Sequence, residues 1–225
     1  MGSVGSGVGV SAEAAGSHGD LRVGVLALQG DFAAHARALA AAGAAAVEVR
    51  TTAALDGLCG LVLPGGESPT LLRLMAPLGM QQALVEFQRR GGAIFGTCAG
   101  LILLASEVVQ PAQECLGLLD VTVERNAYGR QIDSFVAQGT LELPDEVTET
   151  AEMVFIRAPR ILRIGPGVRV FGRLNGEAVL IGRDRVLAAT FHPEMTVPPS
   201  GGSSIHRFFL SLVRAAAAGN GGTPK

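Results

Sequence analysis

The sequence predicts an α/β fold, a mostly parallel central sheet flanked by helices, and three observations carry that expectation. Short β-branched apolar runs alternate with helically spaced segments through the first half, the pattern of repeated strand–helix units. Those runs are continuously apolar, as strands buried on both faces are. Over 225 residues, 48% hydrophobic and 17% charged content supplies enough apolar side chain for a core. At roughly 150 residues per domain, this is one large domain with at most a small appendage.

The elements follow in order. Residues 22–28 (RVGVLAL) form a first strand stopped by Gln29-Gly30, after which Asp31 is placed to cap a helix running to about Ala42. Strands are expected over 45–50 and 59–63, the latter cut off by Pro64-Gly65-Gly66. Helical spacing covers 71–75 and 81–90, and a buried strand over 93–95 leads into Gly96 and an apolar helix starting near Cys98. From Leu116 the texture turns strand-rich and partly antiparallel, with runs at 121–124, 135–143, 153–156, 168–174, 178–181 and 186–190. A closing helix over 205–217 is capped by Ser203 or Ser204. Residues 1–20, rich in Gly, Ser and Ala, read as a flexible extension, 21–218 as the domain, and 219–225 as a frayed tail.

Composition narrows the function. Eighteen basic and 20 acidic residues give a net charge of -2, which provides no footprint for nucleic acid or anionic lipid and favours a small ligand. The three cysteines are too scattered for a disulfide framework, and no Cys/His spacing suggests a metal, so a reducing, cytoplasmic setting is expected. The start of the chain lacks the basic and apolar regions of a signal peptide, and no apolar run reaches the length that spans a bilayer.

Three segments carry chemistry. Gly96-Thr97-Cys98-Ala99-Gly100 has a nucleophile between small residues at a strand-to-helix turn, the form that lifts a side chain to the carboxyl edge of a sheet. The positive end of the following helix favours a thiolate. His192-Pro193-Glu194 follows a strand, and residues two apart in extended chain point the same way. His192 is thereby placed to exchange protons with Cys98, and Glu194 to orient His192. Pro64-Gly65-Gly66-Glu67-Ser68 ends a parallel strand at the same edge and lacks the Gly-Lys-Ser/Thr ending of a phosphate loop. Oxyanion stabilisation by backbone N–H groups is its better role. Cys59 reads as a core residue, Cys115 has no assigned role, and His35 and His206 read as packing or surface residues. Arg157, Arg160, Arg163, Arg169 and Arg173 form a loose basic series of the kind that is usually solvated.

Several blocks together are similar to the class I, triad-type glutamine amidotransferases, and within them to the glutaminase subunits of pyridoxal 5′-phosphate synthase. They are GVLALQG at 24–30, PGGES at 64–68, GTCAGLILLA at 96–105, LGLLDVTVERNAYGRQIDSF at 116–135, FIRAP at 155–159 and FHPE at 191–194. The triad specifies the superfamily, while the ALQG and RNAYGRQ blocks narrow it. The resemblance covers about residues 22–216 and implies a flavodoxin-like three-layer fold. It implies Cys98, His192 and Glu194 as the catalytic triad, a glutamine site at Gly65, Gly66, Glu67, Arg125, Ile156 and Arg157, and an oxyanion hole from the N–H groups of Gly66 and Ala99. The implied reaction hydrolyses L-glutamine to L-glutamate and ammonia without a cofactor or metal. The implied partner is the synthase (lyase) subunit, in a large hetero-oligomer. Pro69 stands where the family usually has Thr, and Met195 where it usually has Leu; Pro69 fits the first turn of a helix. Two other readings share the residues: a glutaminase or γ-glutamyl hydrolase serving another pathway, and a catalytically silent interaction subunit. The RNAYGRQ block and the choice of activating synthase separate the first, and an ammonia-release assay separates the second.

Overall fold

The computed structural model describes residues 21–125, 127, 134–144, 148–196 and 203–220. The expected extension at 1–20, most of the RNAYGRQ block and the tail beyond Asn220 lie outside the described residues.

The parallel part of the main sheet is built from β1 (Arg22–Leu26), β2 (Ala45–Val49), β3 (Gly60–Leu63), β4 (Ala93–Thr97) and a late strand, β12 (Val186–Ala189). Their order is β2-β1-β3-β4-β12, and every neighbouring pair is parallel. The sheet continues antiparallel through β11 (Glu177–Arg183), β10 (Arg169–Leu174), β7 (Ser134–Leu141) and β8 (Glu149–Ile156), as the strand-rich second half predicts.

Side-chain alternation sends each central strand to two cores. Leu61, Leu63, Ile94, Val186 and Ala188 face one, with Leu71 and Met75 of α2 (Ser68–Met75), Leu84 of α3 (Met80–Arg89) and Leu101 of α4 (Ala99–Leu104). Val23, Val25, Val62, Phe95 and Leu187 face the other, with Leu39 of α1 (Phe32–Ala41) and Phe209 and Val213 of α5 (Ser204–Asn220). Helices therefore cover both faces, giving three layers, and β3, β4 and β12 are buried along their whole length, as their unbroken apolar character requires.

Two strands escape a reading of the sequence. In β5 (Ala105–Val109) the chain leaves α4 abruptly: Ala105 takes an extended ψ of 160° and pairs with Leu119 of β6 (Leu119–Glu124). No glycine or proline ends the apolar helix before this strand, and the parallel pairing with β6 sets where the helix stops. In β9 (Arg160–Ile164) nearly every residue is exposed, so no buried face marks the strand. It pairs with the other edge of β6 to complete a second, three-stranded sheet, β5-β6-β9. The basic series is partly tied down here: Arg160 pairs with Glu177 and Arg163 with Asp120. Asp31 sits at the N-cap of α1 but makes no side-chain capping bond. Pro69 lies in the first turn of α2, as expected, and α5 continues past the expected end to Asn220.

Candidate active site

Cys98 occupies the single residue between β4 and α4, with φ 49° and ψ -102°, a backbone conformation that L-residues rarely adopt. It is held there by Cys98 N–H donating to Ala189 O at 2.8 Å and by Ile102 N–H donating to Cys98 O at 3.2 Å. The flanking glycines are required by contact. A Cβ at Gly96 would press on the Gly100 carbonyl, and one at Gly100 would overlap the Leu63 carbonyl. This is the sharp turn expected from the spacing, and it brings the thiol to the carboxyl edge of the parallel strands.

His192 and Glu194 follow β12, next to β4 in the sheet. His192 N–H is anchored to Val154 O of β8 at 2.9 Å, which joins the parallel and antiparallel halves at the site. The two side chains meet, His192 Nδ1 lying 2.7 Å from Glu194 Oε1, but not by strand alternation. Residues Pro193–Met195 form a 3₁₀ turn, which folds the carboxylate back onto the imidazole two residues before it. Proline, with its fixed φ, suits the start of that turn.

Both side chains are buried. Burial alone would push the His192 imidazole toward its neutral form; hydrogen bonds and charges from Cys98 and Glu194 overcome this and raise its pKa well above the ordinary histidine value. Burial likewise disfavours the Glu194 carboxylate, yet His35 and His192 together hold its pKa well below the usual carboxylate range. His192 Nε2 makes no full hydrogen bond among the described residues, which leaves the nitrogen on the Cys98 side available.

The glycine-rich loop after β3 closes the site. Gly65 lies against the His192 ring, where a Cβ would overlap the imidazole, and Gly66, at φ 150°, has its missing side chain replaced by the Gln29 amide. Glu67 caps α2 in position, and its N–H donates to Gln29 Oε1 at 3.0 Å. Gln29, at the end of the first strand-and-turn unit, thus braces the loop. On the opposite rim, the Ile156 carbonyl lies 3.8 Å from Cys98 Sγ, and Arg157, at φ 44°, pairs with Glu67. Gly65, Gly66, Glu67, Ile156 and Arg157 therefore gather around Cys98 and His192. Arg125 stands just past β6 with its N–H bonded to Val109 O at 3.1 Å, and nothing among the described residues ties it to Cys98 or His192.

His35 and His206 are fully buried, and His35 Nε2 lies 3.3 Å from Glu194 Oε2. The sequence signal was a histidine on the apolar face of α1, beside Ala34, Ala38 and Leu39, which reads as packing until the 3₁₀ turn is seen beneath it. Among the described residues, no group of three or more His, Cys, Asp or Glu side chains is arranged to hold a metal, and no helix is long and apolar enough to cross a membrane.

A thiol at a strained elbow, an imidazole, a carboxylate and a loop of close-packed glycines form a constellation able to carry out acyl transfer through a covalent thioester. A family model described as the SNO glutamine amidotransferase family matches residues 25–214. The chain is 47% identical over 199 residues to pyridoxal 5′-phosphate synthase subunit PdxT of Koribacter versatilis (strain Ellin345), covering 88% of this chain and 99% of that protein. It is 51% identical over 194 residues to the subunit of the same name from Solibacter usitatus (strain Ellin6076), covering 84% and 98%. A solved structure described as a glutamine amidotransferase superposes with a TM-score of 0.77 at 45% identity, covering 85% of this chain and 98% of that one. With the match spanning both the elbow and the His-Pro-Glu turn, the chain belongs to the SNO glutamine amidotransferase family.

Proposed function

We propose that this chain is the glutaminase subunit of a pyridoxal 5′-phosphate synthase, hydrolysing L-glutamine and passing the ammonia to a synthase subunit for vitamin B6 synthesis. The observation that carries the reading is Cys98 held at φ 49° beside the 2.7 Å His192–Glu194 pair, under the Gly65-Gly66 loop.

In this reading Cys98 Sγ attacks the side-chain carboxamide carbon of glutamine. The carbonyl electrons move to oxygen, which is met by N–H groups of Gly66 and Ala99; one such donor typically contributes about 2.7 to 4 kcal/mol. His192, with its pKa raised by its neighbours, gives its proton to the departing nitrogen. The C–N bond breaks and ammonia leaves a γ-glutamyl thioester. A water then attacks the thioester, His192 accepts its proton, and the C–S bond breaks to release glutamate. Glutamine is held by Glu67, Arg125, Ile156 and Arg157, whose charged and carbonyl groups complement its amino-acid head.

Ammonia in neutral water is mostly protonated and no longer nucleophilic, so delivery within a hetero-oligomer follows from the product's chemistry. The edge bearing Cys98, Gln29 and Gly65-Gly66 is the proposed docking face, and a cytoplasmic site of action fits the free cysteines Cys59, Cys98 and Cys115. The test is ammonia release from glutamine with and without a synthase subunit, with Cys98→Ala as control. A clear rise on adding the synthase, absent in Cys98→Ala, is expected; full activity of the isolated chain unchanged by a verified partner would overturn the activation model.

A further inference from the structure

The Glu194 carboxylate is buried, and its two oxygens have different neighbours. Oε1 meets His192 at 2.7 Å, while Oε2 faces His35 Nε2 at 3.3 Å. His35 comes from α1, more than 150 residues away in sequence, and is engaged at both ring nitrogens. Its Nε2 also lies 3.0 Å from Thr97 Oγ1, the residue before the nucleophile, and its Nδ1 lies 3.2 Å from His206 Nε2 on α5. Phe95 packs nearly perpendicular to both imidazoles, its ring centroid 6.2 Å from that of His35 and 5.8 Å from that of His206.

The proton positions follow from this geometry. Two facing ring nitrogens 3.2 Å apart hold one proton between them. His206 Nδ1 is buried with no hydrogen-bond partner among the described residues. A bare lone pair is tolerated there better than an orphaned N–H, so the single proton of neutral His206 sits on Nε2 and points to His35. Burial, with the His35 ring adding to it, pushes the His206 pKa down to about 3, which keeps this ring neutral. His35 Nδ1 is then an acceptor and its Nε2 carries the hydrogen, which points to Thr97 Oγ1 at 3.0 Å and keeps the positive edge of the ring 3.3 Å from Glu194 Oε2.

We infer that His35 is a positioning residue for the triad: its Nε2–H, with its tautomer set by His206, fixes the Glu194 carboxylate in the orientation that accepts from His192 Nδ1. This rests on the proposed role of Cys98, His192 and Glu194. Glu194 Oε2 makes no full hydrogen bond among the described residues, so the 3.3 Å approach of His35 Nε2 is the contact that steadies it; without His35 the buried carboxylate is free to turn from His192 or to take up a proton.

The experiment measures glutaminase kinetics with the synthase subunit present, for the unaltered chain, Cys98→Ala, His35→Leu and His35→Gln. Leucine keeps bulk without a donor, whereas the glutamine amide nitrogen places a donor where Nε2 stood. We expect His35→Leu to lower kcat roughly tenfold to a hundredfold, as loss of an orienting partner typically does, with the glutamine KM little changed. His35→Gln should recover most of that loss. The alkaline limit of the kcat/KM profile should move to lower pH in His35→Leu, a change that loss of packing alone does not produce. Unaltered kcat in a folded His35→Leu, or a loss equal in both variants, overturns the inference. Should neither variant fold, ¹⁵N spectra of the unaltered protein decide: hydrogen on Nε2 of His35 supports it, and hydrogen on Nδ1 overturns it. Activity surviving in Cys98→Ala would instead overturn the triad itself.

Discussion

Glu67, at the start of α2, and Arg157, just past β8, are joined by an ion pair that ties the glycine-rich loop to the residue after Ile156, whose carbonyl lies 3.8 Å from Cys98 Sγ. Their side chains are 45% and 42% exposed, so the pair contributes little to stability, typically about 0 to 1 kcal/mol. Its position matters more than its energy, because both charges lie where the head group of glutamine is proposed to bind. Glu67→Ala and Arg157→Ala are each expected to raise the glutamine KM about tenfold or more while leaving the melting temperature within a few degrees; Arg125→Ala is expected to raise KM as well. Steady-state kinetics beside thermal melts check this. Unchanged KM in all three would remove these residues from the substrate site.

The strain at Cys98 separates stability from activity. A residue held at φ 49° and ψ -102° costs about 1 to 3 kcal/mol unless it is glycine. Cys98→Gly and Cys98→Ala should both abolish ammonia release, but the glycine variant should be the more stable of the two in denaturant titration. Equal stability would show that the elbow is not strained.

Gly65 tests the fit of loop to imidazole. A methyl group there overlaps the His192 ring, so Gly65→Ala is expected to displace either the loop or the imidazole and to lower kcat at least tenfold. A Gly43→Ala variant, at an open site with φ 88°, is the control: it carries backbone strain without touching the site and should keep its kcat.

The buried histidine on α5 predicts acid sensitivity. His206 has a folded pKa of about 3 against 6.5 unfolded. Below pH 6.5 the unfolded chain therefore binds a proton that the folded protein refuses. Stability contributed by the neutral ring is full above pH 6.5 and is lost as pH falls toward 3, with a slope of at most about 1.4 kcal/mol per pH unit from this one group. Melting temperatures between pH 7.5 and 4.5 should fall less steeply in His206→Leu than in the unaltered protein, even though that variant is less stable at pH 7.5. Parallel slopes would place the acid sensitivity elsewhere.

Much of the candidate site's local geometry is legible in the sequence because its signals are local. Gly96 and Gly100 flank Cys98 since the backbone there touches Leu63 O and the next turn of helix, and such contacts admit only glycine. Pro64 and the glycines after β3, and Pro193 between His192 and Glu194, mark turns by the conformations they permit. Unbroken apolar runs identified β3, β4 and β12 because strands covered on both faces have no polar side to show.

What the tertiary structure decided were relationships with no local signature. Residues 105–109 follow α4 with no glycine or proline between, and β6 offers the edge with which they pair as β5. The exposed β9 is a strand solely by its pairing with β6. His192 and Glu194 are adjacent in either reading, yet their contact comes from a 3₁₀ turn and not from an extended chain. His35 and His206 belong to helices at opposite ends of the sequence, and each alone is one more buried side chain on an apolar face. Only the stacking of α1 and α5 on the same face of the sheet brings them together, and the turn after β12 then sets Glu194 against His35. Composition and spacing determine which residues can be buried or turned; which buried groups meet across the chain is set by the packing of elements that are distant in sequence.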